Sequence, residues 1–201
     1  MPRRPTAVHA ASAHLPSAFG DFRIHVYRDV PTGKEHAAIV KGDVQGAAPV
    51  LVRIHSECLT GDIFASRRCD CGAQLQESLR QIEAAGSGLV LYLRQEGRDI
   101  GLTNKILAYE LQEQGLDTVE ANLQLGHPVD ARTYDAAKDI LADLGVQKLR
   151  LLTNNPAKVE ALRVLGFQCI ERVPLEVAPN DDNRGYMATK RDKMGHMLDK
   201  V

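Results

Sequence analysis

The sequence predicts an α/β protein of mixed α+β character: a mixed β-sheet flanked by helices, with an antiparallel hairpin at its start and a βαβ unit at its end. Three observations carry this reading. Strand-like segments, either alternating or continuously apolar, are interleaved with amphipathic helical stripes. Two early strands are joined across Pro31-Thr32-Gly33. Towards the C-terminus, strand, capped helix and strand follow one another directly.

Residues 1–16 show little periodicity and read as a flexible arm ahead of a single domain, 17–201. Phe22, Ile24 and Val26 alternate with Arg23, His25 and Tyr27, the pattern of a half-buried strand, and Ala37–Val40 returns as its hairpin partner. Val50–Ile54 is a further strand, which sends Arg53 and His55 to one face. From Gly72 the chain turns helical, with Leu75, Leu79 and Ile82 on one stripe and Gly86 or Gly88 as the stop. Leu89–Leu93 is apolar throughout, as in a strand buried on both faces, and leads into the polar, Gly-punctuated segment 95–101. Asn104–Gln114 is a helix ended by Gly115, with Lys105 and Tyr109 four apart on one face. Tyr134, Ala137, Leu141 and Leu144 form another stripe, ended by Gly145. Lys148–Leu152 is a strand. Thr153-Asn154-Asn155-Pro156 then caps a helix through Val159, Leu162 and Leu165, and Phe167–Val173 returns as a strand. Asp181–Gly185 reads as a loop before a short polar helix.

A chain of 201 residues buries a sizeable core without staples. Apolar residues at 44% and charged residues at 25% exclude a disordered chain. The 25 basic and 26 acidic side chains leave a net charge of −1, which gives no footprint for bulk nucleic acid or a membrane surface. No apolar stretch approaches the ~18 residues of a membrane span. The basic start Met1–Pro5 is not followed by the apolar core of a signal peptide, so a cytoplasmic protein is expected.

Three of the four cysteines fall in one segment, Cys58-x10-Cys69-x-Cys71. A disulfide framework is disfavoured by chain length and by the one-residue spacing of the last two; soft thiolates in a cytosolic-type chain point to zinc. His55, three residues before Cys58, would complete a closed Cys3His structural site, whereas three thiolates and a water make an open, catalytic one. Cys169 lies in an apolar run and reads as a small buried hydrophobe. Neither a P-loop nor a Rossmann glycine fingerprint occurs. Polar groups gather at element ends instead. Thr153 and Lys158 flank a helix N-terminus that suits a phosphate, with an N-cap beside a solvated lysine as the alternative.

The string Arg53-Ile-His-Ser-Glu-Cys58-Leu-Thr-Gly-Asp62 with Arg68-Cys-Asp-Cys-Gly72, together with QEGRDIGL at 95–102, NKILAY at 104–109, DTVEAN at 117–122 and TNNPAKVE at 153–160, resembles GTP cyclohydrolase II of riboflavin biosynthesis. The resemblance runs in order from about residue 16 onwards. It implies a zinc enzyme, typically homodimeric, that opens the imidazole ring of GTP and releases formate and pyrophosphate, giving 2,5-diamino-6-ribosylamino-4(3H)-pyrimidinone 5′-phosphate. Many relatives carry a fused dihydroxybutanone-phosphate synthase, which the arm 1–16 is too short to encode, so a monofunctional form is expected.

The resemblance also implies roles. Cys58, Cys69 and Cys71 become the zinc ligands, with water in the fourth place rather than His55. Zinc brings the pKa of bound water towards ~7. Substrate contacts fall on Arg53, Ile54, His55, Ser56, Glu57, Gln74, Glu96, Gly97, Arg98, Thr118, Thr153 and Lys158. Asp130 is implied as proton acceptor and Arg132 as nucleophile towards the α-phosphate; the physical reading of Arg132, a group protonated at ordinary pH, is a charge clamp. Tyr109 matches a tyrosine near the ring-opening step, against the plain reading of a tyrosine at the core edge. Mg²⁺ is expected as the triphosphate's counterion. His127-Pro128, Asp99 and Thr103 depart from the family's commoner choices. Other readings are a homologue acting on another nucleotide, or a zinc-stabilised nucleotide-binding module without catalysis.

Overall fold

The computed structural model describes residues 5–201, the side chains of 168–170 excepted. The chain forms two compact units, each assembled from three segments. The first comprises Met1–His55, Gln76–Arg94 and Thr133–Leu175; the second comprises Ser56–Leu75, Gln95–Arg132 and Glu176–Val201.

The first unit is built on a seven-stranded mixed sheet of β1 (Ala7–Ser17), β2 (Gly20–Asp29), β3 (Glu35–Lys41), β4 (Gly46–Ser56), β5 (Gly88–Leu93), β6 (Val146–Leu152) and β7 (Gln168–Val173), in the order β1-β2-β3-β5-β4-β6-β7. The expected hairpin is β2–β3, with Arg23 opposite Val40 and Arg28 opposite Glu35, and β3 continues antiparallel to β5. The expected βαβ unit is β6, α6 (Pro156–Val164) and β7, with the two strands parallel and β6 also parallel to β4. Asn155 caps α6, its side chain accepting from the Ala157 N–H at 2.9 Å ahead of Pro156.

Two expectations need correction. Residues 7–16 are not a loose arm: they form most of β1, antiparallel to β2 from Ala7–Asp29 to Ser17–Gly20. This is an edge strand exposed on nearly every residue, so it has a backbone ladder but no apolar period to read. Its start is fixed by Asp139 of α5 (Asp135–Asp143), which accepts from the Thr6 hydroxyl at 2.6 Å. Tyr27 does not share the exposure of its alternation partner Arg23; it is 1% exposed, and its hydroxyl donates to Asp143 of α5 at 2.8 Å. The helix covers that end of the face.

Strand β4 lies between β5 and β6 and is buried from Val50 to His55 rather than on alternate residues. Its Val52 and Ile54 join Leu89, Leu91, Leu149, Leu151, Ile140 and Leu162 in one apolar cluster. Each such side chain contributes about 1.5–3 kcal/mol by leaving water.

The second unit is helical. It holds α1 (Leu59–Asp62), α3 (Gly101–Glu113), α4 (Thr118–Gln124), α7 (Arg184–Asp192) and the first turn of α2 (Cys71–Ala85). Helix α4 escapes the periodicity reading, yet it carries a capping box. Asp117 accepts from the Val119 and Glu120 amides, and Glu120 accepts from the Asp117 amide. Helix α7 begins at Arg184, within the segment read as a loop, after an Asn180–Asn183 turn. The reading of the Cys169 side chain lies outside the described residues. No helix among the described residues is long and apolar enough to cross a membrane.

Candidate active site

The residues singled out by sequence divide between the units. Cys58, Cys69 and Cys71, with Ser56, Glu57, Gln74, Glu96–Arg98, Tyr109, Thr118, Asp130 and Arg132, lie in or beside the second unit's helices; Arg53, Ile54, His55, Thr153 and Lys158 belong to the first.

In the second unit the three thiols converge. Their sulfurs all lie within 4.8 Å of one another, the metal-type group found among the described residues, with Cys58 and Cys69 Sγ 3.7 Å apart. Cys58 precedes α1 and its thiol makes no cap, Cys69 ends the following loop, and Cys71 opens α2. Gly61 makes this convergence possible: a Cβ there would stand 2.8 Å from Cys69 Sγ and 3.2 Å from Cys58 Sγ. Hydrogen bonds from the Cys69 and Cys71 thiols, then the Lys105 ammonium, hold the Cys58 thiol far below its ordinary value, as a thiolate. Cys69 is pushed up to about 11, chiefly through its bond to Cys58.

Glu96 and Lys105 organise this cluster. Lys105 Nζ donates to Cys58 Sγ at 3.1 Å and to Glu96 Oε1 at 2.8 Å. Glu96 also accepts the Gly97 amide at 2.8 Å and the Leu59 amide at 2.6 Å, so it ties the first turn of α1 to the 95–101 loop. Sequence reasoning placed Lys105 on the face of Tyr109 without giving it a role; no cysteine spacing points to it. Tyr109 bears this face out. Its hydroxyl lies 3.5 Å from Thr60 Oγ1, the Arg68 guanidinium sits 4.6 Å over its ring, and burial pushes its phenol up to about 12.

Gly97, Arg98 and Asp99 run consecutively through left-handed backbone, at φ 62, 59 and 72°. For the two non-glycine residues this conformation costs about 1–3 kcal/mol each. It lets Arg98 grip the next loop at two points: Nη1 donates to the Val129 carbonyl at 3.0 Å, and the Arg98 carbonyl accepts from the Ala131 amide at 3.3 Å. That loop carries Asp130 and Arg132. Arg132 Nε donates to Asp130 Oδ1 at 2.8 Å, Nη2 donates to Oδ2, and Nη1 reaches Ser56 Oγ at 3.3 Å. Burial raises the Asp130 carboxyl, but the hydrogen bonds and charge of Arg132 outweigh it and hold the group below the ordinary carboxylate value. Gln74 donates to the buried Asp70 carboxylate at 2.6 Å, and Ser56 donates to Gln95 at 3.3 Å.

In the first unit, Arg53 Nη1 donates to the Leu152 carbonyl at 3.0 Å and the His55 ring stacks on Tyr92 at 5.5 Å. His55 is thus held by an aromatic ring and is not in the thiol group. Lys158, in the first turn of α6, is buried and donates to the Ile54 carbonyl at 2.9 Å, which overturns the alternative of a solvated lysine. Thr153 Oγ1 accepts from the Asn155 amide at 3.0 Å, next to the same helix start.

A mixed sheet flanked by helices, and a trio of thiols assembled by glycine and lysine, define an α/β protein with a thiolate metal-type centre. The family model for GTP cyclohydrolase II matches residues 8–174. The chain belongs to the GTP cyclohydrolase II family. It is 56% identical over 193 residues to GTP cyclohydrolase-2 of Hahella chejuensis, covering 96% of this chain and 93% of that protein. GTP cyclohydrolase-2 of Shewanella amazonensis is 54% identical over 190 residues, covering 94% and 93%. Riboflavin biosynthesis protein RibBA of Chlorobium phaeovibrioides is 54% identical over 198 residues, which span 98% of this chain and 48% of that longer protein. Among solved structures, RibBX of A. baumannii, a two-domain 3,4-dihydroxy-2-butanone 4-phosphate synthase, aligns over 85% of this chain and 40% of its own at a TM-score of 0.49 and 20% identity.

Proposed function

We propose that this chain is a zinc-dependent hydrolase that opens the imidazole ring of GTP, releasing formate and pyrophosphate to give 2,5-diamino-6-ribosylamino-4(3H)-pyrimidinone 5′-phosphate. In this reading it works in the cytoplasm as a homodimer, the chain from β1 onward acts as one catalytic domain, and Mg²⁺ accompanies the triphosphate. The observation that carries the reading is the convergence of Cys58, Cys69 and Cys71 within 4.8 Å around a glycine, inside a chain of this family. The donor set fits zinc: three soft sulfurs, one already a thiolate, and no imidazole among them.

Cys58, Cys69 and Cys71 would hold the zinc, which when bound would supply Lewis-acid chemistry for a hydrolytic reaction. The chain's own groups do the rest. Lys105 donates to Cys58 and favours its charged form, and Glu96 fixes Lys105 and the α1 turn. Tyr109, with its phenol held protonated through neutral pH, serves as a proton donor near the ring-opening step rather than as a base. Asp130, kept ionised by Arg132, is poor at taking that residue's proton, so Arg132 acts as a charge clamp on the transferring phosphoryl group. Ser56, Glu57, Gln74, Gly97, Arg98 and Thr118 in the second unit, and Arg53, Ile54, His55, Thr153 and Lys158 in the first, are assigned as substrate contacts on the strength of the family resemblance.

The test is to incubate the zinc-loaded protein with GTP and Mg²⁺ and follow formate and pyrophosphate. Release of both supports the reading. Turnover of a different nucleotide, or GTP binding without products, replaces it with one of the two alternatives. In the same assay Arg132→Lys retains substantial pyrophosphate release if the group is a clamp; near-complete loss with intact GTP binding counts against that role. Light scattering checks the dimer.

A further inference from the structure

We propose that Lys190 is a positioning residue of the thiolate site, holding the Cys69-Asp70-Cys71 segment in its metal-receiving form through a buried ion pair with Asp70. The inference rests on the zinc reading and extends it to helix α7, beyond the residues 8–174 matched by the family model.

Asp70 stands between two of the three ligands, and its side chain is almost wholly buried, at 3% exposure for the residue. Both its carboxylate oxygens accept from Lys190 Nζ, at 2.8 and 3.0 Å, and one also accepts from Gln74 Nε2 at 2.6 Å. Its carbonyl accepts the Gln74 amide at 2.9 Å, the first turn of the helix that Cys71 opens. Lys190 is 8% exposed and is walled by the Tyr186 ring, 5.1 Å away, and by Met187 Sδ at 4.0 Å. Helix α7 has a separate anchor: Lys193 pairs with Asp117 and, at 3.2 Å, with Glu120. Nearby, in the loop ahead of α7, Asp182 pairs with Arg67 at 2.8 Å. Of the basic groups in and beside α7, Lys190 is the one that pairs with the residue between Cys69 and Cys71, where it joins Gln74.

The physical need is one of charge. Three thiolates outweigh a divalent cation, and the buried Asp70 carboxylate, next in sequence to two of them, adds a further negative charge in a water-poor setting. An ammonium fixed to that carboxylate offsets it and prevents the segment from springing away from the neighbouring sulfurs. Outer groups that orient metal ligands typically change metal affinity about 10–100-fold when lost, and Lys190 acts on the segment that carries two of them.

Zinc-loaded full-length protein is challenged with a chromophoric chelator, and Co²⁺-exchanged protein is read through its thiolate charge-transfer and d–d bands. Lys190→Met is expected to weaken zinc retention about 10–100-fold and to alter the Co²⁺ bands, and Lys190→Arg to restore both. Lys193→Met, on the same helix, is expected to leave both at the wild-type level. If Lys190→Met does not fold, the double variant Asp70→Asn/Lys190→Met, which leaves no unpaired buried ion, takes its place with the same expected loss. Wild-type affinity and spectrum in either variant overturn the inference, as does an equal loss in Lys193→Met, which reduces α7 to general support. Wild-type protein that retains neither ion overturns the zinc reading itself.

Discussion

In the sheet-bearing unit the fully buried large side chains include Ile54, Leu89, Leu91, Ile140, Leu149 and Leu151, members of one apolar cluster. In the thiolate-bearing unit the buried side chains include the polar Asp70, Gln74, Gln95, Lys105, Asn122, Asn183 and Lys190 beside Cys58, with Ala108, Ala121, Met187 and Leu198 as the apolar ones. The first kind of interior is non-directional and scales with area removed from water. The second depends on partners: a buried ion or amide stabilises only while its counterpart is in place, and costs heavily when it is not. The contrast shows where this chain puts its chemistry. The thiol cluster sits among these partner-dependent groups, while the sheet-bearing unit sets its own buried Arg53, His55, Thr153 and Lys158 beside an extensive apolar cluster.

On the zinc reading, the sharpest way to break this contrast is to remove the metal or one of the three thiols. Cys58→Ser, or stripping zinc with a chelator, is expected to abolish turnover, a loss of several kcal/mol of transition-state stabilisation. In hydrogen exchange, amides of α1, α3 and the start of α2 should then open while β4, β5 and β6 stay protected. Uniform opening of both units would erase the distinction. Next comes Leu149→Ala, which hollows the apolar cluster at an expected about 2–5 kcal/mol, with zinc retention and KM unchanged because it touches no charged partner. Lys105→Met leaves Glu96 without its cation. With Glu96 only partly buried and still accepting two amides, it is expected to destabilise the fold by about 1–3 kcal/mol in urea unfolding and to diminish zinc retention. The smallest effect is pH-linked. Burial, then the nearby Lys190 charge, lowers His196 from its ordinary 6.5 to about 4. The unfolded chain therefore binds this proton first, so stability is full above about pH 6.5 and declines as the pH falls towards 4. His196→Gln should flatten the urea midpoint between pH 7 and 5. His25 of β2 is also held low, by burial and then His9, so His25→Gln is the matching control in the other unit.

The two interiors were unequally legible in the sequence. Strands β2 to β7 and helices α2, α3, α5 and α6 declared themselves because their partners are apolar and periodic, and periodicity is a local signal. Strand β1 did not, since an edge strand held by its ladder needs no apolar face. Helix α4 was signalled only by Asp117 and Glu120, a cap rather than a stripe. In the thiolate unit the clustered thiols were visible as a spacing of Cys58, Cys69 and Cys71. Their supporting cations were not, because Lys105 lies 47 residues from Cys58, and Lys190 lies 120 from Asp70. A lysine bound for a buried partner looks, in sequence, like any solvated one. The residues assigned as substrate contacts became legible through family resemblance, not through any property of the isolated positions.

The separation of 120 residues between Asp70 and Lys190 also bears on biogenesis. A ribosome delivers the sulfurs of 58, 69 and 71 well ahead of the ammonium that steadies them, and a contact so distant along the chain closes slowly. During that interval the trio emerges as loose thiols, open to oxidants and stray ions. On the zinc reading, correct loading would be a late event of maturation, and protein made under oxidising conditions is expected to be full-length but empty.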